Sequence, residues 1–303
     1  MKAVRIHEPT GISGLVYEEV PDARPGLCDV LVKVAACGIT HNELDWPLWT
    51  CRAGHRRASI IPGHEVSGVV AALGYGTAGI AVGDEVSGLT DQLRDGAAAE
   101  YVAVEARNLA PKPHTADHVP RRSGAAGRPD GVAGPVRPRE AGQGADGGHP
   151  RRGRVDGGPA CPLGRRAGDR TGRSHSRSLV LELGAGRFVA LDGERLEDAA
   201  GQADLVFDTI GGEVLARSPA LLRPGGTLVT IKAAAQPPAS RDDIRTVVFV
   251  QESSRAQLTE LARLIDQGHL RPQVGAVYPL AQAAEAYSAK AAGGIPGRII
   301  LQP

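Results

Sequence analysis

At 303 residues and 31.5 kDa the chain is about twice one average domain, which predicts two domains or one domain carrying a large insertion. Lys plus Arg number 35 and Asp plus Glu 34, a balance that argues against a uniformly polyanion-binding surface or an acidic tail. That balance hides a split, because Pro120 to Ser178 holds 13 Arg, no Lys, 4 Asp and 1 Glu, leaving 22 basic and 29 acidic residues elsewhere. Cys28, Cys37, Cys51 and Cys161 show no repeated pairing, the start MKAVRIHEPTG lacks a leader's apolar run, and no 18-residue apolar stretch occurs. These features predict a cytoplasmic protein with no disulfides and no membrane partner.

From Met1 to about Pro113 the segments LVYEEV, DVLVKVAACGI, HEVSGVVAALG, GDEVSGL and AAEYVAVE read as short strands punctuated by Gly, Pro and Asp. Val30, Val32 and Val34 alternate with Leu31 and Lys33, the period of a strand buried mainly on one side. From Leu179 onward the grammar changes. LVLELGA reads as a helix closed by Gly184, FVALD as a strand, ADLVFDTIGG as a strand with a glycine turn, and GGTLVTI as a further strand. Strands spaced by helices predict a parallel, doubly wound sheet. Apolar residues at 258, 261, 262, 264 and 265 give Arg255 to Asp266 a helical stripe, stopped by Gly268.

The middle, Pro120 to Ser178, fits neither grammar. Of its 59 residues 14 are Gly, 7 Pro and 13 Arg, and its large aliphatics are Val132, Val136, Val155 and Leu163 alone. Ordering a residue costs about 1.5 kcal/mol against about 25 cal/mol per Å² of apolar area buried, so this composition predicts disorder. Read one base later with free choice of synonymous codons, Arg122 to His149 can spell the 27-residue run AAAPLAGLTAWQALFDHARLAKGRTVV. This suggests two compensating frameshifts, near Val119 and near Arg177, enclosing a segment read in the wrong frame.

Outside that middle, the blocks IIPGHEVSGVVAALG, AVGDEVSGL, GAAAEYVAVE, ADLVFDTIGG, LLRPGGTLVTI and DQGHLRPQV stand in an order that resembles the medium-chain dehydrogenase/reductase superfamily. Within it the chain is most similar to the quinone-oxidoreductase-like NADP-dependent oxidoreductases. The resemblance implies an α/β protein: a GroES-like β domain (1–115 and 268–303) and a Rossmann-type nucleotide-binding domain (116–267) with a parallel sheet. It also implies hydride transfer from NADPH to a quinone or an activated alkene or carbonyl. The family's phosphate turn falls in the Arg/Gly/Pro segment. There Gly144, Gly147, Gly148 and Gly153 lack a preceding apolar strand, so the literal chain is expected to bind cofactor poorly.

By position, the resemblance places Thr40 and His41 at the reaction centre, with Asn42 and Glu43 nearby. Thr40 would contact the nicotinamide region, or be a turn hydroxyl bonding its own backbone. His41 would protonate the reduced substrate, or be a solvated side chain. Asp208, Thr209, Ile210, Gly211 and Gly212 end a strand where such sheets hold ligands, and Phe249 and Val250, after Val248, match the carboxamide contact. Arg173 and Arg177 fall where a 2′-phosphate would be held. Cys37 and His64, with Glu65, match two positions of the superfamily's metal-dependent branch, but no third ligand follows, so no metal is expected. Other classes remain: a zinc-dependent alcohol dehydrogenase, or a non-enzymatic protein whose basic segment binds nucleic acid. The segment's lack of aromatics for base stacking argues for a small-molecule substrate and no nucleic-acid partner. A homodimer through Thr246 to Val250 is a further expectation.

Overall fold

A computed structural model of the chain describes residues 1–40, 43–46, 48–51, 53–118, 169–172, 174, 177–182, 185, 187–193, 203–231, 241–248, 253–293, 295 and 297–303. The strands in chain order are β1 (Lys2–Ile6), β2 (Leu15–Glu19), β3 (Asp29–Ile39), β4 (Glu65–Leu73), β5 (Glu85–Leu89), β6 (Tyr101–Glu105) and β7 (Leu109–Pro111). There follow β8 (Asp169–Gly172), α1 (Arg177–Glu182), β9 (Arg187–Ala190), β10 (Ala203–Asp208), α2 (Gly212–Arg217), β11 (Leu222–Thr230) and β12 (Arg245–Val248). The chain ends with α3 (Arg255–Asp266), β13 (Val274–Pro279), α4 (Ala283–Ala292) and β14 (Arg298–Gln302). Two compact units result, one of residues 1–128 with 252–303 and one of 129–251.

In the first unit seven strands form a sheet of order β13-β14-β3-β4-β5-β7, with β6 also paired to β3. The alternation of valines along β3 is the cause: Val30, Val32 and Val34 are buried while Lys33 is exposed. The eleven-residue β3 serves three neighbours. Its first half pairs with β6 (Val30 opposite Val104), its end with β14 (Ile39 opposite Ile299), and β4 runs along the other edge. Val66, Val86, Val102, Leu109, Ile299 and Leu301 close the core. The helix α3 belongs to this unit: Arg255 donates from Nε to the Leu109 carbonyl at 2.9 Å, and Asp266 accepts from the Thr115 amide and hydroxyl, each at 2.9 Å. Gly268, at φ +73°, ends the helix where the sequence puts its stop.

Among the described residues of the second unit every strand pair is parallel, β8 with β9, β10 with β11 and β11 with β12. This matches the parallel sheet read from the sequence. One local reading needs correction. Residues 169–172 lie inside the segment expected to stay disordered, yet they form β8, with Arg170 opposite Phe188 and Gly172 opposite Ala190. A parallel ladder bonds main chain to main chain, so DRTG needs no apolar pattern of its own when Phe188 and Val189 of the neighbouring strand supply the burial. No helix among the described residues is long and apolar enough to cross a membrane.

Candidate functional site

In the first unit the polar groups gather where β3 and β4 meet. Gly63 turns the chain into β4 at φ +91°, and a Cβ there would lie 2.4 Å from Cys37 Sγ, so only glycine lets the turn pass this close to β3. The turn delivers His64 and Glu65. His64 is 5% exposed, its ring stacks on Trp46 with centroids 5.0 Å apart, its Nδ1 is 3.2 Å from Thr90 Oγ1, and its Nε2 has no hydrogen-bond partner. Burial lowers its pKa to about 4, against a weaker opposing effect of a hydrogen bond with the Thr90 backbone, so the imidazole is neutral at pH 7.

Glu65 lies opposite Gly38, where a Cβ would sit 2.3 Å from Glu65 Oε2, so the bare backbone of β3 makes room for the carboxylate. Its Oε1 pairs with Arg298 at 2.7 Å and accepts a long hydrogen bond from Thr40 Oγ1 at 3.5 Å. The Thr40 side chain therefore points at a carboxylate, rather than bonding its own turn. Glu43, just beyond, is fully buried. The Tyr287 hydroxyl from α4 donates to its Oε1, and its Oε2 has no partner. Burial dominates and pushes the Glu43 carboxyl up to about 7, with the Tyr287 hydrogen bond pulling the other way. Burial also drives the Tyr287 phenol and the Cys37 thiol well above their ordinary ranges, with neighbouring Glu43 adding to both.

A catalytic zinc wants three protein ligands with thiolates ionised. Cys37 and His64 offer two donors, and among the described residues no group of three or more His, Cys, Asp or Glu could hold a metal ion. The described residues thus supply an incomplete donor set for the metal. His41, Phe249, Val250 and Arg173 lie outside the described residues.

In the second unit Asp208 to Gly212 form the turn after β10. The Asp208 carboxylate accepts from the Ile210 amide (3.2 Å), the Gly211 amide (3.1 Å) and the Thr230 hydroxyl (2.8 Å), so its oxygens hold the turn closed. Gly211 and Gly212 take φ +81° and +56°, and a Cβ on Gly212 would meet nothing within 4 Å. Thr209 Oγ1 is buried without a partner and Ile210 is 37% exposed, so these two, with the open glycine backbone, are what the turn offers a ligand. Arg177 is engaged by β9: its Nη1 donates to the Phe188 carbonyl at 3.3 Å and its guanidinium stands 5.4 Å from the Phe188 ring centre. Sequence reasoning missed Tyr287 and Arg298. A lone aromatic in the alanine-rich helix AAEAYSAKAA was the one available signal for Tyr287.

The family profile described as "Alcohol dehydrogenase GroES-like domain" matches residues 26–114, and the profile described as "Zinc-binding dehydrogenase" matches residues 183–301. The chain is 27% identical over 135 residues to "NADPH-dependent alkenal/one oxidoreductase, chloroplastic" from Arabidopsis thaliana, covering 44% of this chain and 33% of that protein. It is 37% identical over 79 residues to "Alcohol dehydrogenase" from Schizosaccharomyces pombe, covering 24% of this chain and 21% of the relative. Both matches thus span a third or less of the relatives' lengths. Among solved structures, the quinone oxidoreductase from Coxiella burnetii superposes with a TM-score of 0.76 at 15% identity, covering 100% of this chain and 99% of that one, a likeness of fold.

Proposed function

We propose that this chain, a member of the medium-chain dehydrogenase/reductase superfamily, is an NADP-dependent, zinc-independent oxidoreductase acting on a small quinone or activated alkene or carbonyl. The observation that carries the reading is the donor set around Thr40. The Thr40 hydroxyl points at the Glu65–Arg298 pair, while the described residues supply Cys37 and His64 with no third donor beside them, which supports a site that orients an organic substrate. The likeness to an NADPH-dependent alkenal/one oxidoreductase supports the same choice of cofactor and substrate class.

Asp208 to Gly212, with Phe249 and Val250, would hold the dinucleotide, which supplies a hydride when bound. The unpartnered Thr209 hydroxyl and the open backbone at Gly212 fit such a ligand edge. Thr40, its hydroxyl drawn to the Glu65–Arg298 pair, orients the acceptor, and His41 delivers the proton that completes the reduction. Strand β12, at one end of the described β10-β11-β12 sheet, and the residues to Val250 would join two copies into a homodimer. The Arg/Gly/Pro segment stands where the phosphate turn belongs, and a turn missing there forgoes several charge-assisted hydrogen bonds, each worth about 1.5–3 kcal/mol. The literal chain therefore oxidises NADPH slowly, and a version with 122–177 restored in frame is active.

Purified protein of both versions is assayed for NADPH consumption with benzoquinone and an alkenal, for alcohol oxidation with NAD, and for bound metal. Quinone- or alkenal-dependent turnover by the restored version, indifferent to chelators, is expected. A second reading, the zinc-dependent alcohol dehydrogenase, is favoured by one observation, the buried and unpartnered Nε2 of His64. Stoichiometric zinc with chelator-sensitive alcohol oxidation would establish it and overturn the first.

A further inference from the structure

On the first unit's sheet, Ser67 of β4 and Ser87 of β5 stand directly opposite each other, a register that places their Cβ atoms roughly 5 Å apart on one face. Ser67 Oγ is 2.7 Å from His118 Nδ1, and His118 Nε2 is 3.0 Å from Glu85 Oε1. Lys112 Nζ lies 3.5 Å from the other Glu85 oxygen; desolvation is the largest single effect on that carboxyl and raises it, but Lys112 and His118 together outweigh it and hold the group below its usual range. A carboxylate at Nε2 favours the tautomer with its proton there, which leaves the Nδ1 lone pair facing the serine hydroxyl. Nucleophile, base and orienting acid are thus in hydrogen-bond sequence, the order of a serine hydrolase's triad with the two ring nitrogens in exchanged places.

The serine opens onto space. Ser67, Ser87 and His118 line a cavity of about 260 Å³ whose apolar wall is Val66, Leu89, Leu258 and Ile300. Glu65 also borders it, and its negative charge disfavours anionic ligands. The Ser67 hydroxyl has a second acceptor in the Val86 carbonyl at 3.3 Å, longer than its contact with His118. Ser67, His118, Glu85 and Ser87 take no part in the hydride chemistry proposed above.

We propose that Ser67, His118 and Glu85 form a hydrolytic site for small, neutral acyl esters, separate from the oxidoreductase chemistry. Ser67 Oγ bonds to the acyl carbon as its proton passes to His118 Nδ1. The acyl–oxygen bond to the alcohol then breaks, and the departing oxygen takes that proton from His118. Water attacks the acyl-serine, giving its proton to His118, and Ser67 leaves as the hydroxyl with that proton, so ester and water become acid and alcohol. Glu85 orients the ring and stabilises the imidazolium, and the Ser87 hydroxyl is placed to donate to the tetrahedral oxygen.

The test is hydrolysis of p-nitrophenyl acetate by the full chain with no nicotinamide cofactor present, with quenched samples analysed for the acetylated peptide. Ser67→Ala and His118→Gln should lose roughly 100-fold of the ester rate, the scale of a general base and its nucleophile. Glu85→Gln should lose less, and the acetyl group should be found on Ser67. Ser67→Cys, a near-isosteric change, should carry the adduct on sulfur. Should Ser67→Ala fail to fold, the site of acetylation in the unaltered chain decides. Ester turnover equal in the unaltered and Ser67→Ala proteins, or acetyl groups confined to lysines, would overturn the proposal, whereas loss of NADPH oxidation alone would not touch it.

Discussion

Glu43→Gln is the substitution that most directly tests the electrostatics of the candidate site. A carboxyl raised from 4.5 to about 7 favours its protonated form in the fold by about 3 kcal/mol, at about 1.4 kcal/mol per pH unit. The sign follows from proton counts. Between pH 4.5 and 7 the folded chain keeps a proton at Glu43 that the unfolded chain has lost, so this stabilising contribution is complete below 4.5 and disappears as pH rises through 7. His64 acts oppositely, because its pKa falls from 6.5 to about 4 and its contribution is complete above 6.5 and disappears as pH falls toward 4. The two nearly offset in the unaltered chain, so neither is visible in a single stability curve. Glu43→Gln removes one of them while the glutamine oxygen still accepts from Tyr287. Urea unfolding followed by tryptophan fluorescence reads the first unit alone, since both tryptophans, Trp46 and Trp49, lie there. The advantage of the unaltered chain over Glu43→Gln should be about 3 kcal/mol larger at pH 4.5 than at pH 7.5. A difference that stays constant across that range would refute the assignment of a protonated, buried Glu43.

Three further changes probe the remaining parts. Asp208→Ala leaves two backbone amides and the Thr230 hydroxyl without their shared acceptor, and should destabilise the second unit by about 2–3 kcal/mol, read as a lower thermal midpoint. Gly63→Ala combines a positive φ with a Cβ clash on Cys37 Sγ and should cost more than about 2 kcal/mol in urea unfolding; a loss within experimental scatter would mean the turn relaxes freely. Thr40→Val, nearly the same shape without the hydroxyl, should lower quinone-dependent kcat of the frame-restored protein roughly tenfold with little change in melting temperature, and an unchanged kcat would remove Thr40 from the reaction.

What the sequence made legible is what local patterns encode. The period of two along Val30, Val32 and Val34 reports which face of β3 is buried, and ADLVFDTIGG announces a strand and its turn, because both signals lie within a few neighbouring residues. The strand at residues 169–172 was illegible because its side chains carry no pattern, and its ladder depends on a neighbour fifteen or more positions away. Partner choice is hidden for the same reason. Tyr287 reaches Glu43 across 244 positions and Arg298 reaches Ile39 across 259, contacts set by how β14 and α4 close against β3 rather than by anything written near either residue. The consequence bears on function. Sequence reading treats His64 and Cys37 as chemistry by residue type, yet burial holds both uncharged at neutral pH and keeps Glu43 protonated up to about pH 7, leaving the Glu65–Arg298 pair, bonded through Thr40 to the end of β3, as the standing charged feature of the cluster. A neutral interior with one paired charge at its edge suits the placement of an uncharged, polarisable acceptor, which is why the burial of these residues, more than their identity, supports an organic substrate at this end of the sheet.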